Sequence, residues 1–192
     1  MRVLVGCEFS GRVREAFRER GHDAWSCDFL PSEIDGQHIQ GDVRAAVGYG
    51  LWDLAIFHPP CTYLASSGLH WNKKRPERAA FTHAALEFVR YLLEAPIYKI
   101  AIENPIGCIS TKIRKPDQII QPWQFGHPES KATCLWLKGL PKLTPTEVVS
   151  KRHRWENQTP SGQNKLGPSP ARWKERSRTY LGIARAMAEQ WG

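Results

Sequence analysis

The sequence predicts an α/β fold, a mainly parallel sheet with helices on both faces. Short apolar runs of strand length alternate with helix-like segments, the pattern of strand–helix–strand units. The runs Val3-Leu4-Val5, Leu54-Ala55-Ile56 and Ile100-Ala101-Ile102 have no polar side to give to water, so they read as strands buried within the sheet. A chain of 192 residues, 41% of them hydrophobic, is long enough to bury a substantial core as one domain over residues 1–192.

Taken in order, the first strand leads to a helix around residues 13–20, which Gly21 ends. Residues 24–27 are extended and deliver Asp28, and a shorter extended piece at 38–40 delivers Gly41 and Asp42. The strand ending at Phe57 is followed by a polar loop. An amphipathic helix then covers 79–93, with Phe81, Ala85, Phe88 and Leu92 on one stripe. Residues 99–102 form the next strand, 134–137 another, and 179–191 a closing helix. Residues 139–176 break the alternation. Pro141, Pro145, Pro160, Pro168 and Pro170, with Gly162 and Gly167, oppose regular structure, so an irregular insertion is expected rather than a second domain.

Composition narrows the function classes. No apolar run approaches the ~20 residues that span a bilayer, so no membrane partner is expected. Met1–Gly6 reads as a strand that starts at once, not as a signal peptide. Five cysteines without a C-x-x-C pair argue against a disulfide framework or zinc ribbon and for reduced thiols in a cytoplasm. The net charge is +8, and residues 138–178 hold ten Lys/Arg against three Glu, while the rest of the chain is nearly neutral. A neutral body with one basic segment suits a surface that tracks phosphates; the same run also reads as a solvated loop.

Two strand ends carry the chemistry. Phe57-His58-Pro59-Pro60-Cys61 presents a thiol on a stiff Pro-Pro turn, and Ile102-Glu103-Asn104-Pro105 presents a carboxylate beside an amide. A soft nucleophile with a nearby acid suits attack on an electron-poor ring, the acid stabilising the charge that results. Glu103 also reads as a strand-end carboxylate in an ion pair. Cys7, Cys27, Cys108 and Cys134 read as small buried hydrophobes. His58, Cys61 and His127 fit no standard zinc spacing, so no metal is expected. At the first strand end, Gly6-Cys7-Glu8-Phe9-Ser10-Gly11 lets a ligand approach the backbone. Asp28 can accept from ribose hydroxyls and Asp42 from an exocyclic amine, which suits an adenosine-containing cofactor. The same glycines and acids also read as a tight turn and helix caps.

These motifs resemble the cytosine-5 DNA methyltransferases, particularly the small phage-encoded members. That family has Pro-Pro-Cys after its fourth strand and Glu-Asn-Val after a later one, where this chain has Pro59-Pro60-Cys61 and Glu103-Asn104-Pro105. Phe9-Ser10-Gly11-Arg12-Val13 is similar to the family's Phe-x-Gly-x-Gly, and Gly126-His127-Pro128-Glu129-Ser130-Lys131 to its Gly-x-Pro-Gln-x-Arg. Tyr180-Leu181-Gly182-Ile183-Ala184 is faintly similar to the closing Gly-Asn motif. The chain departs from the family at Val13, where a second glycine is usual, at Asp28 in place of Glu, and at Thr133 in place of an arginine. No large target-recognition domain is present, and the basic insertion stands in its position.

The resemblance implies a Rossmann-like, S-adenosylmethionine-dependent methyltransferase fold acting on double-stranded DNA, with no obligate protein partner, in a bacterial or phage-infected cell. It assigns Cys61 as nucleophile, Glu103 as the acid at N3 of cytosine, Asn104 as its orienting neighbour and Lys131 as a contact to base or sugar-phosphate. The implied cofactor site is Glu8, Phe9, Ser10, Gly11, Asp28, Phe29, Asp42, Val43, Pro59, Gly182 and Ile183. The implied DNA contacts are Trp71, Lys73, Lys74 and Arg75 after the nucleophile, and Lys151, Arg152, Arg154, Lys165, Arg172, Lys174 and Arg176 in the insertion, with Asn157, Gln158, Gln163 and Asn164 as base readers at a short, permissive site. Trp71 also reads as ordinary packing. Two other classes remain open: a catalytically silent nucleic-acid-binding protein on the same scaffold, and an enzyme that modifies RNA or a free nucleotide.

Overall fold

Strands with no polar face must lie inside a sheet covered on both sides, and the chain's apolar runs do. The computed structural model describes residues 1–150 and 153–192. The chain runs through β1 (Arg2–Gly6), α1 (Arg12–Glu19), β2 (Asp23–Asp28), β3 (His38–Gln40), α2 (Val43–Gly48) and β4 (Leu54–Phe57). It continues through α3 (Ser66–Leu69), α4 (Trp71–Lys74), the long α5 (Glu77–Glu94), β5 (Lys99–Pro105), α6 (Ile109–Lys112), β6 (Gln118–Ile120), β7 (Thr133–Lys138), α7 (Arg172–Ser177) and α8 (Leu181–Trp191).

The seven strands form one sheet in the order β3-β2-β1-β4-β5-β7-β6. Pairing is parallel from β3 through β5, whereas β7 runs antiparallel to both β5 and β6. The sheet is therefore mixed, and a doubly wound, Rossmann-like arrangement describes its parallel part. Side chains alternate between the faces with period two. Val3, Val5, Leu54, Ile56, Ala101 and Leu135 pack with α1 and α8 on one face; Leu4, Ala55, Phe57, Ile100, Ile102 and Trp136 pack with α2, α5 and α6 on the other. No described helix is long and apolar enough to cross a membrane.

Three features differ from the sequence reading. The strand expected over 99–102 continues to Pro105, because the antiparallel β7 pairs with it as far as Thr133, so Glu103 and Asn104 are strand residues. In α5 the buried residues are Leu86, Val89 and Leu92, while Phe81 is 53% exposed. The helix has two apolar stripes, one for the core and one, carrying Phe81, Ala85 and Phe88, for a cleft at the strand ends. Third, the 139–176 segment is docked along much of its length and its end is helical, as α7. Leu143 is buried, with its N–H and carbonyl both bonded to the Gln118 side chain. Trp155 stacks on Trp123 at 5.8 Å, and the Asn157 amide bonds both the N–H and the carbonyl of Ser130. Prolines break regular hydrogen bonding, and such side-chain ties hold the backbone instead.

The loops after β4 and β5 are zipped together. Ser66 N–H donates to Ile106 O at 3.0 Å, and Cys108 N–H donates to Leu64 O at 2.9 Å. Between these bonds a Cβ on Gly107 would meet Leu64 O at 2.0 Å. Gly107→Ala should therefore force the loops apart and destabilise the protein by about 1–3 kcal/mol, the usual range for overpacking. A lowered urea midpoint with an unchanged slope is expected; an unchanged midpoint would show that the contact is not constraining.

Candidate active site

The parallel register of β4 and β5 pairs Phe57 with Ile102, which sets the next two residues, His58 and Glu103, side by side. His58 Nδ1 lies 2.9 Å from Glu103 Oε2. One residue on, the buried Asn104 amide donates to Pro59 O at 2.7 Å and ties the Pro-Pro turn to β5. The chain then closes a turn in which the N–H groups of Leu64 and Ala65 both donate to Cys61 O, at 3.0 and 2.9 Å. Cys61 is exposed, Cys7 is half-buried, and Cys27, Cys108 and Cys134 are buried. Order reverses between β1 and β4, so this turn stands at the topological switch point where ligands bind in open α/β sheets.

Burial works against an ionised Glu103. The His58 hydrogen bond and charge, the Lys131 charge and a Thr133 hydroxyl together outweigh it and hold the carboxyl below the usual carboxylate range. Cys61 moves the other way. Although the residue is exposed at the surface, the atoms packed around its sulfur disfavour the thiolate and push its thiol up, the Glu103 charge adds to this, and the nearby Lys131 and Arg176 only partly compensate. The resting site thus pairs a protonated thiol with a carboxylate. A cation does lie near the sulfur, as a thiolate-favouring site requires, but it does not prevail. Lys131 Nζ also donates to Arg176 O at 2.7 Å, which fastens α7 beside the turn. Thr133, a departure from the family motif, stands close enough to Glu103 to favour its charge, and its hydroxyl donates to Lys131 O at 3.2 Å.

A cavity of about 460 Å³ opens next to the Pro-Pro turn. Asp28, Phe29, Asp42 and Val43 line it, as does Pro60, along with residues the sequence reading did not assign: Cys7, Tyr63, Leu64 and the outer stripe of α5. Cys7 is held at φ 59°, in the left-handed region, at the C-terminal end of β1. That conformation costs a non-glycine residue about 1–3 kcal/mol and marks sites where the backbone is shaped for a ligand. Tyr63 stacks on Phe81 at 5.3 Å, which joins the post-Cys61 loop to α5. Asp28 also accepts from Leu30 N–H in a local turn, whereas Asp42 caps α2 by accepting from Arg44 N–H, so the capping reading holds for Asp42, and both carboxylates line the cavity.

Glu8, Phe9, Ser10 and Gly11 lie outside the cavity lining. Glu8 is buried; its Oε1 accepts from Val13 N–H and from the Ser10 hydroxyl, so it caps α1. Gly11, at φ 72°, turns the chain into that helix. Phe9 is buried against Trp173 of α7. Pro59 is buried behind the turn and contributes its carbonyl to Asn104. Gly182 borders a separate depression of about 400 Å³ with His127, whose Nε2 accepts from Gly182 N–H, and Ile183 is buried in the core. The structure does not bring these two together with Asp28 and Asp42.

The expected nucleic-acid contacts divide into groups. Trp71 is exposed on α4, with Lys74 Nζ 5.1 Å and the Arg75 guanidinium 5.5 Å from its ring centre, so packing in the core does not account for it. Lys73, Arg154, Lys165 and Arg176 are exposed, and Arg172 is partly so. Lys174 lies over Trp173 and Phe9. Asn157, expected as a base reader, is occupied by Ser130. Gln158 and Asn164 bridge one another, and Gln163 N–H bonds the Thr159 hydroxyl. Lys151 and Arg152 lie outside the described residues.

No protein-family model matches the chain, and no curated protein matches it. Among solved structures it is similar to a candidate DNA modification methyltransferase encoded within a prophage, from E. coli. The two are 15% identical with a TM-score of 0.48, over 77% of this chain and 51% of the other, so this chain spans about half the length of that protein.

The electrostatics of the turn make a direct test. Iodoacetamide should modify Cys61 first among the five thiols, yet more slowly at neutral pH than an unhindered cysteine, because burial and Glu103 hold the thiol protonated. Glu103→Gln should raise the alkylation rate several-fold and Lys131→Ala should lower it. Mass-resolved alkylation kinetics read both; equal rates in all three proteins would show that these charges do not reach the sulfur.

Proposed function

We propose that this chain transfers a methyl group from S-adenosylmethionine to carbon 5 of cytosine in DNA, through a covalent adduct with Cys61. The observation that carries the reading is the joining of Cys61, on its Pro-Pro turn, to Glu103 and Asn104 at the switch point, beside a cavity with two carboxylates. The motif resemblance points to the same chemistry.

The cavity suits the cofactor. Its volume of about 460 Å³ falls among small-molecule sites, which run to about 300–1,000 Å³. Asp28 would accept from ribose hydroxyls and Asp42 from the adenine amine, while Phe29, Phe81 and Phe88 offer apolar faces to the ring. The cofactor supplies an electrophilic methyl group. Everything else in the reaction falls to side chains. Carbon 5 of cytosine is a poor nucleophile until Cys61 Sγ, its proton given up to solvent, bonds as thiolate to carbon 6. A proton at N3, held by Glu103, keeps the adduct neutral as the carbon 5–carbon 6 electron pair becomes an enamine. Once carbon 5 carries the methyl group, transfer of its proton to solvent restores the double bond and expels the thiolate. Asn104 holds the turn at a fixed distance from Glu103 through Pro59 O, the kind of pre-set geometry on which such rates depend.

In duplex DNA the base must leave the stack, at a cost of a few kcal/mol. Exposed Trp71, flanked by Lys74 and Arg75, is a stacking platform with phosphate-binding cations at its edge. Arg154, Lys165, Arg172 and Arg176 add cations on the docked insertion, most of them suited to phosphate rather than to base edges.

Nucleoside mass analysis of DNA from cells that express the chain should show 5-methylcytosine, and Cys61→Ser should abolish it while preserving cofactor binding. Duplex DNA carrying 5-fluorocytosine should trap the wild type covalently. Adduct formation only with RNA or a free nucleotide would move the substrate, and full activity in Cys61→Ser would sink the reading.

Asp28→Ala should weaken S-adenosylmethionine binding in calorimetry by tenfold or so, the scale of about 1.4 kcal/mol for one lost hydrogen-bonding group. DNA binding should not change. Equal cofactor affinity would place the pocket elsewhere.

A further inference from the structure

We propose that His58 is a positioning residue that stores the proton Glu103 passes to the base, a role that rests on the cytosine-methylation reading above. His58 stands immediately before the Pro-Pro turn, with its own N–H donated to Gly6 O at 2.9 Å, so β1 fixes its backbone. Its side chain is 7% exposed and that of Glu103 14%, and Nδ1 meets Oε2 at 2.9 Å in this dry setting. The other ring nitrogen, Nε2, is buried and has no hydrogen-bond partner among the described residues. A hydrogen bond through Nδ1 alone explains how the ring is held. It does not explain an imidazole at this position, since an amide could donate the same bond without burying a second, unmatched nitrogen.

Proton bookkeeping supplies the reason. With neutral imidazole, Nδ1–H donates to a carboxylate and the pair carries one negative charge and no proton to give. With Nε2 also protonated, the pair is neutral overall. Passing the Nδ1 proton to the carboxylate then leaves a neutral imidazole and a carboxylic acid. As the thiolate bonds to carbon 6 and the ring electrons shift, that acid gives its proton to N3: the pair loses one proton, the base gains one, the adduct is neutral, and the negative charge that left sulfur rests on the carboxylate. Expulsion of the thiolate returns the N3 proton to the carboxylate and so to His58. The other ionisable groups around Glu103 are Lys131 and the thiols of Cys61 and Cys134, with Arg176 near Cys61. None of these is an imidazole, the side chain best suited to hold and return a proton through two ring nitrogens.

His58→Asn tests this, because its side-chain amide keeps a donor near the Nδ1 position but cannot hold the extra proton. In single-turnover methyl transfer to duplex DNA, the variant should bind DNA and S-adenosylmethionine as the wild type does and react about 10²-fold more slowly, within the range of general acid–base effects. A proton that must be present for the reaction is lost as pH rises, so the wild-type rate should carry a fall with rising pH that the variant lacks. A wild-type rate and pH profile in the variant would overturn the proposal. A wild type that neither methylates nor forms the 5-fluorocytosine adduct would overturn the methyltransferase reading instead. The proton store is then judged without turnover, by nitrogen-15 NMR of the His58 ring, which should report protons on both ring nitrogens; a single protonated nitrogen would overturn the proposal.

Discussion

One buried amide holds the candidate site together. Asn104 donates to Pro59 O at 2.7 Å, across the gap where β4 has ended and β5 continues. Below that bond the two strands are locked by the parallel ladder; above it the zipped loops hold them together. Asn104 pays for the tether with an Oδ1 that is buried and has no hydrogen-bond partner among the described residues, a defect that costs about 1–3 kcal/mol. An aspartate at that position would set a carboxylate against the Pro59 carbonyl, and a leucine would leave that carbonyl without its donor. The amide therefore reports a geometric demand that packing alone would not impose. Two prolines make that demand rigid, because once Pro59 O is fixed the chain has little freedom before Cys61.

The parts of the fold that depend on local apolar pattern were legible in the sequence. Val3–Val5, Leu54–Ile56 and Ile100–Ile102 have no alternative to burial, and 38–40 and the helix of residues 79–93 lie where the pattern puts them. What escaped was set by register and by tertiary contact. The contact between His58 and Glu103 follows from Phe57 pairing with Ile102, which no spacing in the sequence states. The outer stripe of α5 is apolar in the same way as a core stripe, so periodicity could not tell a cavity wall from a core face. Helices of four residues, such as α3, α4 and α6, are too short to show a period. The docking of the insertion escaped for a further reason: Asn157, Trp155 and Leu143 look like ordinary loop residues until their partners on the 118–130 segment are known.

That docking changes how the basic segment is read. Its cations are not equivalent. Arg178 is bound to Glu33 and Glu175, and Lys174 sits over the aromatic pair formed by Trp173 and Phe9. These charges build the strap that passes from the opening loop to Lys131. A cation already satisfied by a carboxylate releases few counterions when a phosphate arrives, so exposed residues such as Arg154 and Lys165 carry more of any salt-dependent affinity. A segment of +7 therefore presents a smaller effective charge than composition suggests, and one held close to the strand ends.

The resting electrostatics of Cys61 and Glu103 then become intelligible as a coupling. Two neighbouring anions repel, so a thiolate forms at a penalty while Glu103 remains a carboxylate. In the proposed reaction, a base stacked against the turn offers a place for a proton at N3, and the carboxylate that shares that proton no longer opposes charge on sulfur. Activation of the nucleophile and protonation of the ring favour each other, and neither is favoured alone. An exposed cysteine with an always-ionised thiol would react with any small electrophile or oxidant. One whose charge is opposed until a ring with a basic nitrogen lies beside it reserves its reactivity for that ring, so the same pair of residues serves both chemistry and selectivity.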